Sequence, residues 1–147
     1  MQLQEIMTSG VVTAEEGAEV SEVARLMRDE GVGSVVICDP EGGPVAMITD
    51  RDVAVRAAAE AKLSERAGGH ASRPLITGDA EMALEEAAAL MVQHKVRRLP
   101  VLADGRLVGI VTLDDIAVRT GNLEVAQRMT ADVIEGALPG FYFHDRG

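Results

Sequence analysis

Apolar residues recur at i, i+3, i+4 and i+7 in two places: Val20, Val23, Ala24 and Met27, then Leu84, Ala87, Ala88 and Met91. That spacing lays each set along one face of an amphipathic helix. A strand-like run follows each helix, Gly33-Ser34-Val35-Val36-Ile37 and Arg97-Arg98-Leu99-Pro100-Val101. Turn-forming residues come next, Asp39-Pro40-Glu41-Gly42-Gly43 and Ala103-Asp104-Gly105-Arg106, at hairpin length. Second apolar runs, Val45 to Thr49 and Val108 to Thr112, lead into helical stretches from Asp52 to Arg56 and from Asp115 to Arg119. Ahead of the first helices, Val11-Val12-Thr13 and Leu75-Ile76-Thr77 predict a first strand in each half.

The halves are copies of one another. Thr77 lies 64 positions after Thr13, and one residue fewer in the second turn brings Thr112 to 63 positions after Thr49. Each half reads strand, helix, strand, strand, helix. A lone unit of this size buries too little surface to be stable. The pattern therefore predicts an α/β (α+β) fold of two repeats packed about a pseudo-twofold axis. The expected boundaries are residues 1–60 for the first repeat, 61–73 for a connector, 74–120 for the second repeat and 121–147 for a C-terminal helix and tail. The connector reads helix-like from Ala61 to Arg66 and loosens at Gly68-Gly69-His70.

Composition narrows the function. With 47% hydrophobic residues and a mean hydropathy of +0.10, the chain can bury a core in water. No apolar run approaches the ~18 residues of a membrane span. The start, Met1 to Glu5, lacks the basic and apolar regions of a signal peptide, which predicts a cytoplasmic protein. A net charge of −10 repels nucleic acid, so an anionic ligand needs a local cluster of Arg or Lys. The single cysteine, Cys38, excludes an intrachain disulfide and reads as a buried, inert thiol. His70, His94 and His144 are scattered without metal-ligand spacing, and no triad, GxGxxG or P-loop is present. The expectation is a non-catalytic protein without a metal.

The segments Met47-Ile48-Thr49-Asp50-Arg51-Asp52 and Ile110-Val111-Thr112-Leu113-Asp114-Asp115 both carry apolar-Thr-x-x-Asp at equivalent places. Together with Val96-Arg97-Arg98-Leu99-Pro100-Val101, they give a chain that resembles a tandem cystathionine β-synthase (CBS) domain pair, or Bateman module, over roughly residues 3–120. The wording of the first repeat is similar to small stand-alone bacterial CBS proteins, hypoxia-response types included. The resemblance implies a regulatory sensor that binds an adenine nucleotide (AMP, ADP or ATP) in clefts between the repeats. It implies that Asp52 and Asp115 accept hydrogen bonds from ribose hydroxyls, and that Thr49 and Thr112 contact ribose or phosphate. A carboxylate can accept both hydroxyls of a vicinal diol, and a helix start favours phosphate. The competing account is a capping box, in which Thr and Asp simply begin a helix. Asp52 with Arg56, and Asp115 with Arg119, also read as surface i, i+4 pairs.

The repeats differ in charge. The resemblance places Arg97 and Arg98 near phosphate, where the first repeat has Gly33 and Ser34. Alternation along a strand predicts that only one of the two arginines faces the ligand, and a solvated strand end is the competing account. The first repeat instead has Arg51 where the second has Asp114, which should repel phosphate and make the sites unequal. Val12, Ile76, Val35, Leu99 and Pro100 are the expected apolar walls for adenine, with plain core as the alternative. Thr13 and Thr77 complete the expected ligand set. No aromatic is available for stacking in either repeat, which limits affinity.

The resemblance also implies a homodimer through the helices around residues 19–30 and 80–94 and parts of those after Asp52 and Asp115. The small and apolar Ala24, Met27, Ala88 and Met91 would permit close approach there. A downstream protein partner is expected but not identified, and neither nucleic acid nor membrane is. The alternative function is a ligand-free structural CBS dimer serving protein interaction. Phe141, Tyr142 and Phe143, the three aromatics of the chain, are expected to dock on an apolar surface of the dimer partner, with a flexible end as the competing account.

Overall fold

The computed structural model describes residues 1–120. The expected helix from Asn122, the aromatic segment Phe141 to Phe143, and His144 lie outside the described residues.

The chain divides into two compact units that do not follow the order of the sequence. The first, here the N unit, is Gly10–Leu75 with the hairpin tip Asp104–Leu107. The C unit combines Met1–Ser9, Ile76–Ala103 and the described chain from Val108.

In the N unit, β1 (Thr13–Glu15), α2 (Val20–Glu30), β2 (Ser34–Cys38) and β3 (Pro44–Thr49) precede a π-helical segment, Asp52–Ala58. The sheet order is β1-β2-β3, with β1 parallel and β3 antiparallel to β2. Val23 and Met27 of α2 pack with Val35, Ile37, Ala46 and Ile48 of the sheet, as the period-3.6 and strand patterns require. Cys38 is half-buried, and desolvation, reinforced by Asp39, pushes its thiol pKa up, away from reactive thiolate.

The C unit repeats the plan. A short α1 (Leu3–Ile6) is joined by β4 (Gly78–Asp79), α3 (Leu84–His94), β5 (Arg98–Ala103), β6 (Arg106–Thr112) and α4 (Leu113–Thr120). The order is β4-β5-β6, and the core holds Leu3, Leu84, Ala87, Met91, Leu99, Val101 and Val111.

Each unit borrows a strap from the segment that precedes the other repeat. Neither α2 nor α3 has a side-chain N-cap. The strap carbonyls supply acceptors for the orphan N–H groups instead. Val20 N donates to Glu65 O and Ser21 N to Leu63 O, each at 2.9 Å, while Leu84 N donates to Met1 O at 3.1 Å. The straps also form matching bridges, Glu19 with Arg66 and Met47 with Ser72 in the N unit, Gln2 with Ala83 and Thr8 with Ile110 in the C unit.

Three local expectations change. The first strands begin later than expected, at Thr13 and Gly78, because the apolar Val12 and Ile76 pack against the core ahead of the ladder. The helix expected over Ala61–Arg66 is a series of turns, since Ala61 takes a left-handed φ of 57° that ends helical propagation. The segment after Arg51 is π-helical, with Ala59 N donating to Ala54 O at 3.2 Å.

Candidate functional site

At the end of β3, Thr49 caps the helical turn that follows. Asp52 Oδ2 accepts from Thr49 N at 2.9 Å and from Thr49 Oγ1 at 3.1 Å, and Asp52 N donates back to Thr49 Oγ1 at 3.2 Å. At the end of β6 the pattern recurs: Thr112 N donates to Asp115 Oδ2 at 2.9 Å and Asp115 N to Thr112 Oγ1 at 3.1 Å. Both Thr-x-x-Asp segments are therefore capping boxes. This does not exhaust the carboxylates, because each cap uses only Oδ2. The two remaining oxygens differ in surroundings. Asp52 is buried at 7% exposure, and its Oδ1 lies 3.7 Å from Arg56 Nε. Asp115 is half-buried, and among the described residues no ion pair joins it to Arg119.

In the C unit a pocket of about 100 Å³ opens beside this cap, lined by Arg97, Arg98, Thr112, Leu113 and Asp114. Leu113 N donates to Arg97 O at 3.0 Å, which ties the head of β5 to the start of α4 and draws the cations to the capped turn. Both arginines line the pocket, contrary to the alternation argument. The reason is that β5 starts at Arg98, so Arg97 lies ahead of the pleat. Leu113 is a lining residue that sequence reasoning missed; its place at the first helical position after the Thr was the available signal. In the N unit, Gly33 and Ser34 stand at the arginine positions, and Arg51 is exposed with its backbone N–H on Asp50 Oδ1 at 2.8 Å.

The expected apolar walls are corrected. Val35 and Leu99 are 0% exposed and Pro100 is buried, because they belong to the central strand of each sheet, and they offer a ligand no surface. Val12, Ile76 and Thr77 are half-buried and Thr13 is exposed. Among the described residues no three His, Cys, Asp or Glu side chains gather as metal ligands, and no helix is long and apolar enough to cross a membrane.

Comparison with known proteins matches the CBS domain twice, over residues 3–58 and 67–119. The chain is 36% identical over 125 residues to CBS domain-containing protein YhcV of Bacillus subtilis, covering 84% of this chain and 89% of that one. Three solved structures share the architecture. The CBS domain pair of protein MJ0100, in complex with 5-methylthioadenosine and S-adenosyl-L-methionine, is 27% identical with a TM-score of 0.74, covering 84% of this chain and 98% of that one. PAE2072 from Pyrobaculum aerophilum, complexed with AMP, is 29% identical with a TM-score of 0.76, covering 86% and 99%. Hypoxic Response Protein I, with two coordinated zinc ions, is 33% identical with a TM-score of 0.72, covering 80% and 98%.

Proposed function

This chain belongs to the CBS domain family, and from that premise we propose that it is a non-catalytic regulatory module binding an adenosine-containing nucleotide (AMP, ADP or ATP). The observation that carries this reading is the C-unit pocket, where Arg97 and Arg98 meet Thr112 beside the capped turn of Asp115. The guanidiniums would hold phosphate, as charge-assisted pairs do. Asp115 Oδ1, left over by the cap, would accept the ribose hydroxyls. Two relatives whose structures hold adenosyl ligands support the same chemistry. The N-unit site is the weaker one, because Arg56 already faces the corresponding oxygen of Asp52. Calorimetry on the Asp52→Ala, Asp115→Ala double variant should show nucleotide binding lost; binding equal to that of the unaltered chain would overturn the reading.

Self-association is the second part of the proposal. Met27, Ala88 and Met91 are buried within their own units and do not supply a contact face. Val55 and Val118 do remain open, 56% and 73% exposed, at equivalent positions on the helices that follow Asp52 and Asp115. A homodimer would bury both. Light scattering at micromolar concentration should give twice the mass of 15.5 kDa, and a monomer would remove this part of the proposal. A ligand-free CBS dimer, the alternative function, would dimerise with no nucleotide bound.

A further inference from the structure

Asp114 takes no part in the capping box, is exposed to solvent, and yet lines the same pocket as Arg97 and Arg98. The equivalent position in the first repeat holds Arg51, so the repeats carry opposite charges at this point. As a first-turn acid Asp114 contributes to the helix dipole, but its neighbour Asp115 already supplies that, and the effect is small at the surface. Resting on the nucleotide reading above, we propose that Asp114 is a specificity-determining residue that limits the phosphate chain, so that the C-unit site accepts a nucleoside monophosphate and rejects a triphosphate.

The charge of the lining supports this. Two guanidiniums against one carboxylate leave a single net positive charge among the lining side chains. A phosphomonoester brings about −1.5 to −2 at neutral pH and is nearly matched. Each further phosphoryl group adds negative charge, and the lining offers no third cation. The chain's net charge of −10 gives no compensating field. Near a protein surface, each added charge a few ångströms from Asp114 changes affinity by roughly tenfold, less at high salt.

The test is calorimetry with AMP, ADP and ATP in EDTA, on the full chain and its Asp114→Asn and Asp114→Arg variants. Because the side chain is exposed, both variants should melt as the unaltered chain does. Affinity should fall from AMP to ADP to ATP, by about tenfold or more in all, and the gap should narrow as salt is raised. Asp114→Asn should strengthen ATP about tenfold more than it strengthens AMP, and Asp114→Arg should widen that difference. Equal binding of AMP and ATP by the unaltered chain, or an equal change for all three nucleotides in Asp114→Asn, would overturn the proposal. Absence of binding by any nucleotide would overturn the nucleotide reading itself, and this inference with it.

Discussion

The two units fit the same strap-and-sheet contact with opposite allocations of volume. In the C unit the strap brings large side chains, Leu3 and Met7, and the sheet answers with Gly78 and Gly109. A Cβ on Gly78 would lie 2.7 Å from Leu3 Cδ1, and one on Gly109 would lie 2.7 Å from Met7 Cγ. In the N unit the equivalent strap residues are Ala67 and Ala71, and the sheet positions are Ala14 and Ala46. Large residues meet glycine in one copy, and alanine stands at all four positions in the other. Duplicated contacts have thus diverged as matched pairs, so that each strap fits the unit it serves. The same divergence reaches the head of the middle strand, where the C unit has Arg97 and Arg98 and the N unit has Gly33 and Ser34.

Exchanging volumes should break this comparison, and the largest effect is expected at Leu3, which is fully buried. Leu3→Ala should cost about 2–5 kcal/mol, the range for emptying a packed leucine site. Urea unfolding should show it, and a cost below about 1 kcal/mol would mean the strap is not part of the C-unit core. Gly109→Ala should cost about 1–3 kcal/mol by overpacking against Met7. Adding Met7→Ala recreates the N-unit pairing and should recover part of that loss, giving a favourable coupling in a double-mutant cycle. The smallest effect sharpens the comparison at the helix ends. Gly31 closes α2 with φ 67°, whereas Lys95 closes α3 at the equivalent place with φ 56°. Lys95→Gly should therefore stabilise the C unit by up to about 1 kcal/mol, read as a raised Tm.

Much of this was legible in the sequence because burial leaves a periodic mark. The faces of α2 and α3, the hairpins and both Thr-x-x-Asp turns follow from residue type and spacing alone. The strap assignment left no such mark. It depends on carbonyls such as Met1 O and Glu65 O, and on size matches such as Leu3 with Gly78, between residues far apart in the chain. β1 and β4 begin later than the apolar pattern predicts, because hydrophobicity reports packing, as at Val12 and Ile76, and not ladder pairing. Alternation does not separate Arg97 from Arg98, because Arg97 lies one residue before the strand begins. Val35 and Leu99 carried two compatible roles in the sequence, and their complete burial leaves only the core one.

If nucleotide is held chiefly by the C unit, Asp115→Ala and Asp52→Ala should differ sharply in one calorimetric series. Asp115→Asn serves as a control that keeps an acceptor for Thr112 N. Asp115→Ala should weaken the dominant binding event by about 1.5–3 kcal/mol, the value of a charged hydrogen bond. Asp52→Ala should leave that event within about threefold, a difference of less than 1 kcal/mol. Equal losses from the two substitutions, or a larger loss from Asp52→Ala, would contradict it.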